Sequence, residues 1–333
     1  MTTLADRARA LEPIGFSPRQ ARFLATVALH SGYCLRRQYE VSAGVRYGKN
    51  VRAFLDDLVA RRLAERSVRR ADRGHVYHLH ERRLYRLIGL DSSRHRRRVS
   101  AAGVARRLMV LDHVLATPGT EWLATDADKV AFFVEHLGMA PSALPQQVCP
   151  AARTGGTTGV RYFPHRWPIA AVGQPPVVQF VALVTDALGR TLERFLADHA
   201  ALLGSLPVWT VVAVAPKTST ALATCHDTLQ RFLARPRSTV GSRIDDIRWH
   251  FTTRRAVEHG EWARLSVADL DRFRGERQRL ESADVDALYR DWLVRGEAAL
   301  QTSASGSGGS AGRLITAVLP FDYSQFGSLP GVA

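Results

Sequence analysis

The sequence predicts an α+β chain. Three helices and a hairpin crowd into about the first hundred residues, and from about residue 140 short apolar strands alternate with helices in α/β order. Charge divides at the same place: residues 1–110 hold 24 Lys/Arg against 9 Asp/Glu, and residues 111–333 hold 22 of each, so the whole formal net charge of +15 lies in the first third. Codon bias toward arginine would act on both parts alike and does not produce that asymmetry. A chain of 333 residues with 46% hydrophobic content can build two ordinary cores. The expected divisions are 1–98, a helical bridge 99–139, an α/β region 140–301, a flexible linker 302–312 and a docking segment 313–333.

Ser17-Pro18 starts the first strong helix, a capping hydroxyl followed by proline at the first helical position, and Ala21, Phe23, Leu24, Val27 and Ala28 form its apolar face. Gly32 ends it. A shorter helix is expected from Leu35 to Ala43, a break at Gly44, and a third helix from Lys49 to Leu63 with Val51, Phe54, Leu55, Leu58 and Val59 at helical spacing. SVRR, the turn ADRG and HVYHLH then predict two antiparallel strands, with Val68 and Val76 as core contacts. Helices followed by a hairpin in this order predict a winged helix-turn-helix.

Glu81 to Leu90 is expected to be helical, and the run RHRRR, Arg94 to Arg98, to be a linker. Ser100 to Ala116, and a helix capped by Thr125 or Asp126, supply the bridge. Beyond it RYFPH, PIAAV, VVQFVALV, PVWTVVAVA and RWHFTT near residue 250 are predicted strands. Arg190–Leu203, Ser219–Ala234, Val267–Leu280 and Val285–Leu300 are predicted helices, giving a sheet with some parallel pairing. Thr302 to Gly312, TSASGSGGSAG, has the composition of a tether. The segment after it is apolar enough to dock, on its own sheet by preference, or on a twin chain or partner.

Several classes are excluded by composition. Three widely spaced cysteines, Cys34, Cys149 and Cys225, make neither a disulfide framework nor a zinc pattern, and a reducing cytoplasm is expected. No apolar run approaches the roughly 18 residues of a membrane span. His75, His78 and His80 lie within six residues, but alternation along a strand puts His75 on the opposite face, and no metal is expected there. RTGGTTG, Arg153 to Gly159, lacks the Lys-Ser/Thr of a phosphate loop and reads as a turn. No cofactor is expected.

A concentrated positive field draws polyanions, with nucleic acid ahead of an anionic membrane surface. In a winged helix the third helix enters the major groove while the hairpin reaches phosphates or the minor groove. The candidate DNA-binding residues are therefore Tyr47, Lys49, Asn50 and Arg52 at the start of that helix, Arg36, Arg37 and Arg46 flanking it, and Arg69, Arg70, Arg73 and His75 on the hairpin.

The α/β region beside such a module suggests a restriction-endonuclease-like fold, whose metal site needs carboxylates on adjacent strands. The central strand offers Gln179 instead, Lys217 has no acid two residues before it, Asp186 and Glu193 fall in or after a turn, and His165 and His199 belong to no nucleophile motif. No catalytic residue is assigned.

The segments HERRLYRLIGL, RRLMVLDHVLATPGTEWLATDADKVAFF and VVQFVALVTDALGRTLERFLADHAALLGSLPVWTVVAVAP together resemble the replication-relaxation type proteins of plasmids and integrative elements, over about residues 15–215. That resemblance implies a winged helix followed by a nuclease-like domain and work at the DNA of a mobile element, although Gln179 stands where an acid is usual. The function expected is sequence-selective duplex DNA binding with a non-catalytic α/β scaffold. A dimer or a protein partner held through the C-terminal segment would complete it. The alternatives are a metal-dependent nuclease or nickase with an unrecognised site, and a basic protein of RNA or membrane surfaces.

Overall fold

The computed structural model describes residues 2–46, 48–68, 74–149, 159–173, 176–186, 189–234, 240–280, 283–300 and 311–326. It is an α+β chain of helices and mixed sheets that divides into two compact units, residues 1–232 with 311–333, and residues 233–310. RTGGTTG lies outside the described residues except for Gly159, and so does the tether up to residue 310.

A short helix α1 (Leu4–Arg9) precedes α2 (Pro18–His30), where the Ser17 hydroxyl accepts from the Gln20 N–H and the Gln20 side chain accepts from the Ser17 N–H. This reciprocal cap is what Ser-Pro promised. Ala21, Phe23, Leu24, Val27 and Ala28 are all buried. Then come β1 (Tyr33–Leu35), α3 (Arg36–Ala43), α4 (Lys49–Ala60) and the antiparallel strands β2 (Ala64–Val68) and β3 (His75–Leu79), which with β1 form a sheet of order β1-β3-β2. The three residues of β1 are too few to show a period, and sequence reasoning missed them. Val76 is buried as expected, but Val68 is 60% exposed, because β2 turns only Ala64 inward.

After α5 (Arg82–Leu87) the expected linker RHRRR is instead a clamped strap. Arg94–Arg96 form a 3-10 turn, and Arg107 donates to the carbonyls of Arg94 at 3.3 Å, His95 at 3.1 Å and Arg97 at 3.3 Å. Nδ1 of His95 donates to the Ser31 carbonyl at 3.1 Å, and Arg96 donates to the carbonyls of His80 and Asp91. Gly32, at φ +74°, makes room: a β carbon there would lie 2.2 Å from the His95 carbonyl oxygen. An arginine-rich run looks solvated in a sequence, yet guanidinium donors satisfy backbone carbonyls as readily as they meet water.

The helix α6 (Ala101–Ala116), capped by Ser100, is buried almost all round, the mark of a central helix. Leu111 joins the core of Phe23, Leu24, Phe54 and Tyr85, while Leu108, Met109 and Val114 pack with Tyr33, Leu35 and Val76 on one side and with Val181, Leu183, Val212 and Val214 on the other. Each fully buried leucine contributes about 2 kcal/mol. The N-terminal helices and the larger sheet thus share one helix.

That sheet has order β10-β9-β8-β7-β4, from β4 (Trp122–Leu123), β7 (Ile169–Val172), β8 (Val177–Leu183), β9 (Val208–Pro216) and β10 (Ala311–Leu319); β5 (Gln146–Cys149) and β6 (Gly159–Tyr162) form a separate ladder. The pairs β8–β9 and β9–β10 are parallel, and β7–β8 and β4–β7 antiparallel. Ahead of β7, α7 (Asp126–Ala131) begins at the Thr125 cap. The single helix expected over Arg190–Leu203 is two, α8 (Arg190–Asp198) and α9 (Ala200–Ser205), parted at His199, whose Nδ1 donates to the Phe195 carbonyl. After β9 comes α10 (Leu222–Ala234).

The C-terminal segment returns to its own sheet, as preferred above, with Gly312 opposite Trp209. A β carbon on Gly312 would come within 2.4 Å of the Trp209 ring, so the last glycine of the tether is a packing residue. Beyond β10, Tyr323 and Phe326 are buried against α6.

The second unit holds α11 (Val240–Glu258), α12 (Val267–Leu280) and α13 (Ala283–Arg295). RWHFTT, expected as a strand, lies inside α11. Six residues cannot separate the two periods, but over a longer stretch Ile247, His250, Phe251 and Arg254 fall on one helical face, and Phe251 packs on Tyr289 and Leu300.

Candidate nucleic-acid interface

α4 starts from Gly48 in extended conformation, φ −172°, without a side-chain cap, and turns off after Arg62 at φ +56°. Val51, Phe54, Leu55 and Leu58 are buried. The Phe54 ring lies 4.4 Å from Tyr39, 6.3 Å from Phe16 and 6.5 Å from Phe23, an aromatic nest that fixes the roll of the helix. With that face anchored, Lys49, Asn50, Arg52, Ala53, Asp56 and Asp57 face solvent.

The face is polarised along its length. Its first turn is basic and polar, while farther along Asp56 pairs with Arg66 at 3.4 Å and Asp57 with Arg61 at 3.2 Å. Arg61 also donates to the Ile14 carbonyl at 2.7 Å and lies over the Phe16 ring. The acids of α4 therefore hold neighbouring arginines and leave its N-terminal end as the basic one.

The remaining candidates divide. Arg46 and His75 are exposed, and Arg36 is exposed and paired with Glu40 at 3.1 Å. Tyr47, Arg69, Arg70 and Arg73 lie outside the described residues. Arg37 points inward, with bidentate bonds of 2.5 and 2.7 Å to Asp112 on α6, and its guanidinium stacks 3.4 Å from the Phe321 ring centre. Tyr323 donates to the same carboxylate at 2.5 Å. Arg37 is committed to this internal pair and is withdrawn from the surface set. Sequence spacing carried no sign of its partner, 75 residues away.

His78 is buried, stacked 4.1 Å from Tyr33, and its Nε2 lies 3.3 Å from the His95 carbonyl. Burial is the main cause that pushes its imidazole down to about 4. Among the described residues no three His, Cys, Asp or Glu side chains stand together to hold a metal ion.

On the larger sheet the titratable groups have structural partners. Asp186 caps α8, accepting from the Arg190 N–H at 2.7 Å, the Thr191 N–H at 2.9 Å and the Thr191 hydroxyl. His165 bonds Asp198 at 2.8 Å and stacks on Trp167. Burial pushes His199 down to about 3, so it packs as a neutral ring against Phe195. Gln179 sits half-buried on β8 between Ala170 and Thr210, and the N–H of Lys217 donates to the Phe321 carbonyl at 3.3 Å.

Comparison of the chain with models of protein families, with curated proteins and with solved structures found no match.

Proposed function

We propose that the N-terminal helices and three-stranded sheet act as a winged helix-turn-helix that binds duplex DNA, with α4 as the reading helix and the β2–β3 hairpin as the wing. The observation that carries this reading is the anchored roll of α4. Its apolar face is locked on Phe16, Phe23 and Tyr39, so Lys49, Asn50 and Arg52 are offered together at its N-terminal end. In this geometry asparagine and arginine form paired hydrogen bonds to adenine and guanine edges. The order α2, β1, α3, α4, β2, β3 supports the same reading. In this proposal the larger sheet is a non-catalytic scaffold, since Asp186 and Asp198 are spent on a helix cap and on a histidine. The resemblance to replication-relaxation type proteins fits a regulator or accessory factor of a mobile element.

The test uses the full chain, because Leu111 completes the module's core. After selection of bound sites from random duplexes, Asn50→Ala or Arg52→Ala is expected to cost about 1–3 kcal/mol on the preferred site and to relax one or two base positions. Arg70→Ala or Arg73→Ala is expected to weaken all sequences alike and to lower the salt slope by about one unit per phosphate contact. Loss of the specific-to-scrambled ratio in the hairpin variants alone would make the wing the reader.

A further inference from the structure

The strap, α7 and β6 enclose an open cleft of about 540 Å³ lined by Arg94, Asp126, Ala127, Val130, Val160, Arg161 and Tyr162. That volume falls within the range of small-molecule sites, about 300–1,000 Å³. We propose that this cleft binds a nucleotide through its phosphate, with Arg94 and Arg161 as the phosphate ligands and Val130, Val160 and Tyr162 as the wall for sugar and base.

Arg94 stands on backbone that cannot drift: Arg107 grips the carbonyls of Arg94, His95 and Arg97, the Ser93 hydroxyl accepts from the His95 N–H at 3.2 Å, and Gly32 lets the strap close down. Arg161 comes from the opposite wall, fixed in the β5–β6 ladder opposite Gln147. Two guanidiniums from separate elements suit a tetrahedral phosphate, which each can meet with two parallel N–H groups.

Further positive charge couples to them. Arg166 follows Phe163 in a loop where both residues have left-handed backbone, φ +56° and +48°, and its N–H donates to the Phe163 carbonyl at 3.1 Å. Burial, and then the guanidiniums of Arg161, Arg94 and Arg107, push Arg166 down to about 10, with Asp126 opposing them. Arg166 thus feels three other guanidiniums, two of them in the lining of a cleft that includes one carboxylate. An anion between Arg94 and Arg161 relieves that repulsion. Val160, 52% exposed in the lining, gains cover from the organic part of the ligand.

Neither α4 nor the hairpin takes part, so the proposal stands apart from the reading of duplex DNA. Calorimetric titrations of the full chain with inorganic phosphate, deoxyadenosine monophosphate and an octamer of deoxythymidine test it. The mononucleotide is expected to bind more tightly than phosphate. Octamer binding of similar strength would identify a single strand as the source, and its absence a free nucleotide. The Arg94→Ala/Arg161→Ala double variant is expected to lose about tenfold or more in affinity. Arg83→Ala, an exposed arginine elsewhere, is expected to keep it. If the double variant melts early, phenylglyoxal labelling of the native chain replaces it: nucleotide should protect Arg94 and Arg161, read by mass spectrometry. No binding at millimolar concentration, unchanged affinity in a folded double variant, or equal labelling with and without nucleotide would overturn the assignment.

Discussion

The first hundred residues and the larger sheet treat charge in opposite ways. In the first region arginines outnumber acids and many work as backbone clamps: Arg7 donates to the Ile88 carbonyl, Arg61 to Ile14, Arg96 to His80 and Asp91. In the sheet region the balance is even and the acids do the structural work: the Asp128 carboxylate accepts from the Thr125 N–H in a capping box, Asp186 caps α8, and Asp198 is partner to His165. The lesson is that sequence charge is not surface charge. Arginines that hold carbonyls keep their positive field but lose their reach, so the residues able to touch a polyanion are fewer than a net charge of +15 suggests. Acids that cap helices are equally withdrawn from chemistry.

Acid should test whether the two regions behave as separate bodies. His30 on α2 and His113 on α6 lie 6.5 and 5.9 Å from the Trp122 ring on β4, and His199 is buried on the sheet. Burial pushes them down to about 3, 4 and 3, with Lys129 adding to the effect on His30. Unfolded, each titrates near 6.5. A folded pKa below the unfolded one means that the unfolded chain binds protons first as pH falls. Stability is therefore full above 6.5 and is lost as pH falls toward 4 for His113 and toward 3 for His30 and His199, by about 1.4 kcal/mol per pH unit per histidine, or about 6 kcal/mol for the three by pH 5. Urea titrations followed by tryptophan fluorescence and by circular dichroism are expected to show this loss in coincident curves. Two separated transitions would break the shared packing through α6.

The next largest effect is expected at the clasp that joins the regions. Asp112 accepts from Arg37 and Tyr323 in a buried place, and burial together with Asp112 pushes the Tyr323 phenol up, keeping it a donor. Asp112→Ala strands both donors, which costs about 3–5 kcal/mol. Tyr323→Phe removes one donor and costs about 1–2 kcal/mol. Chemical denaturation checks both. Equal losses would mean that Arg37 finds another acceptor and that the clasp is looser than its distances.

Much of this contrast was legible in the residues. Ser17-Pro18 and the apolar spacing of α2 and α4 mark helices because caps and 3.6 periodicity act locally, and the apolarity after the tether marks a segment that must dock. The strap was not legible, since four arginines in five residues look solvated until the carbonyls beneath them are known. The break at His199 spans a single residue, too short to disturb the apolar period, and α11 hid behind a six-residue window. At the candidate interface the basic turn of α4 was readable, whereas Arg37 depends on a partner brought in by tertiary packing.

The smallest expected effect sharpens the contrast most. If acids near the sheet are structural, removing Asp186 should change stability and leave every ligand response untouched. Its carboxylate satisfies two N–H groups at the start of α8, on Arg190 and Thr191, and Gly189 in the left-handed region at φ +67° supplies no side chain to take over. Loss of such a cap costs about 0.5–2 kcal/mol. Asp186→Asn keeps one acceptor oxygen and is expected to recover part of that loss, while Asp186→Ala shows all of it, with duplex affinity, site preference and nucleotide binding as in the native chain. The measurement is a denaturation series on the three proteins beside one binding curve for each. A native-like melt combined with a changed response to DNA in magnesium would show that this carboxylate acts on a ligand, and the sheet would then have to be read as a site.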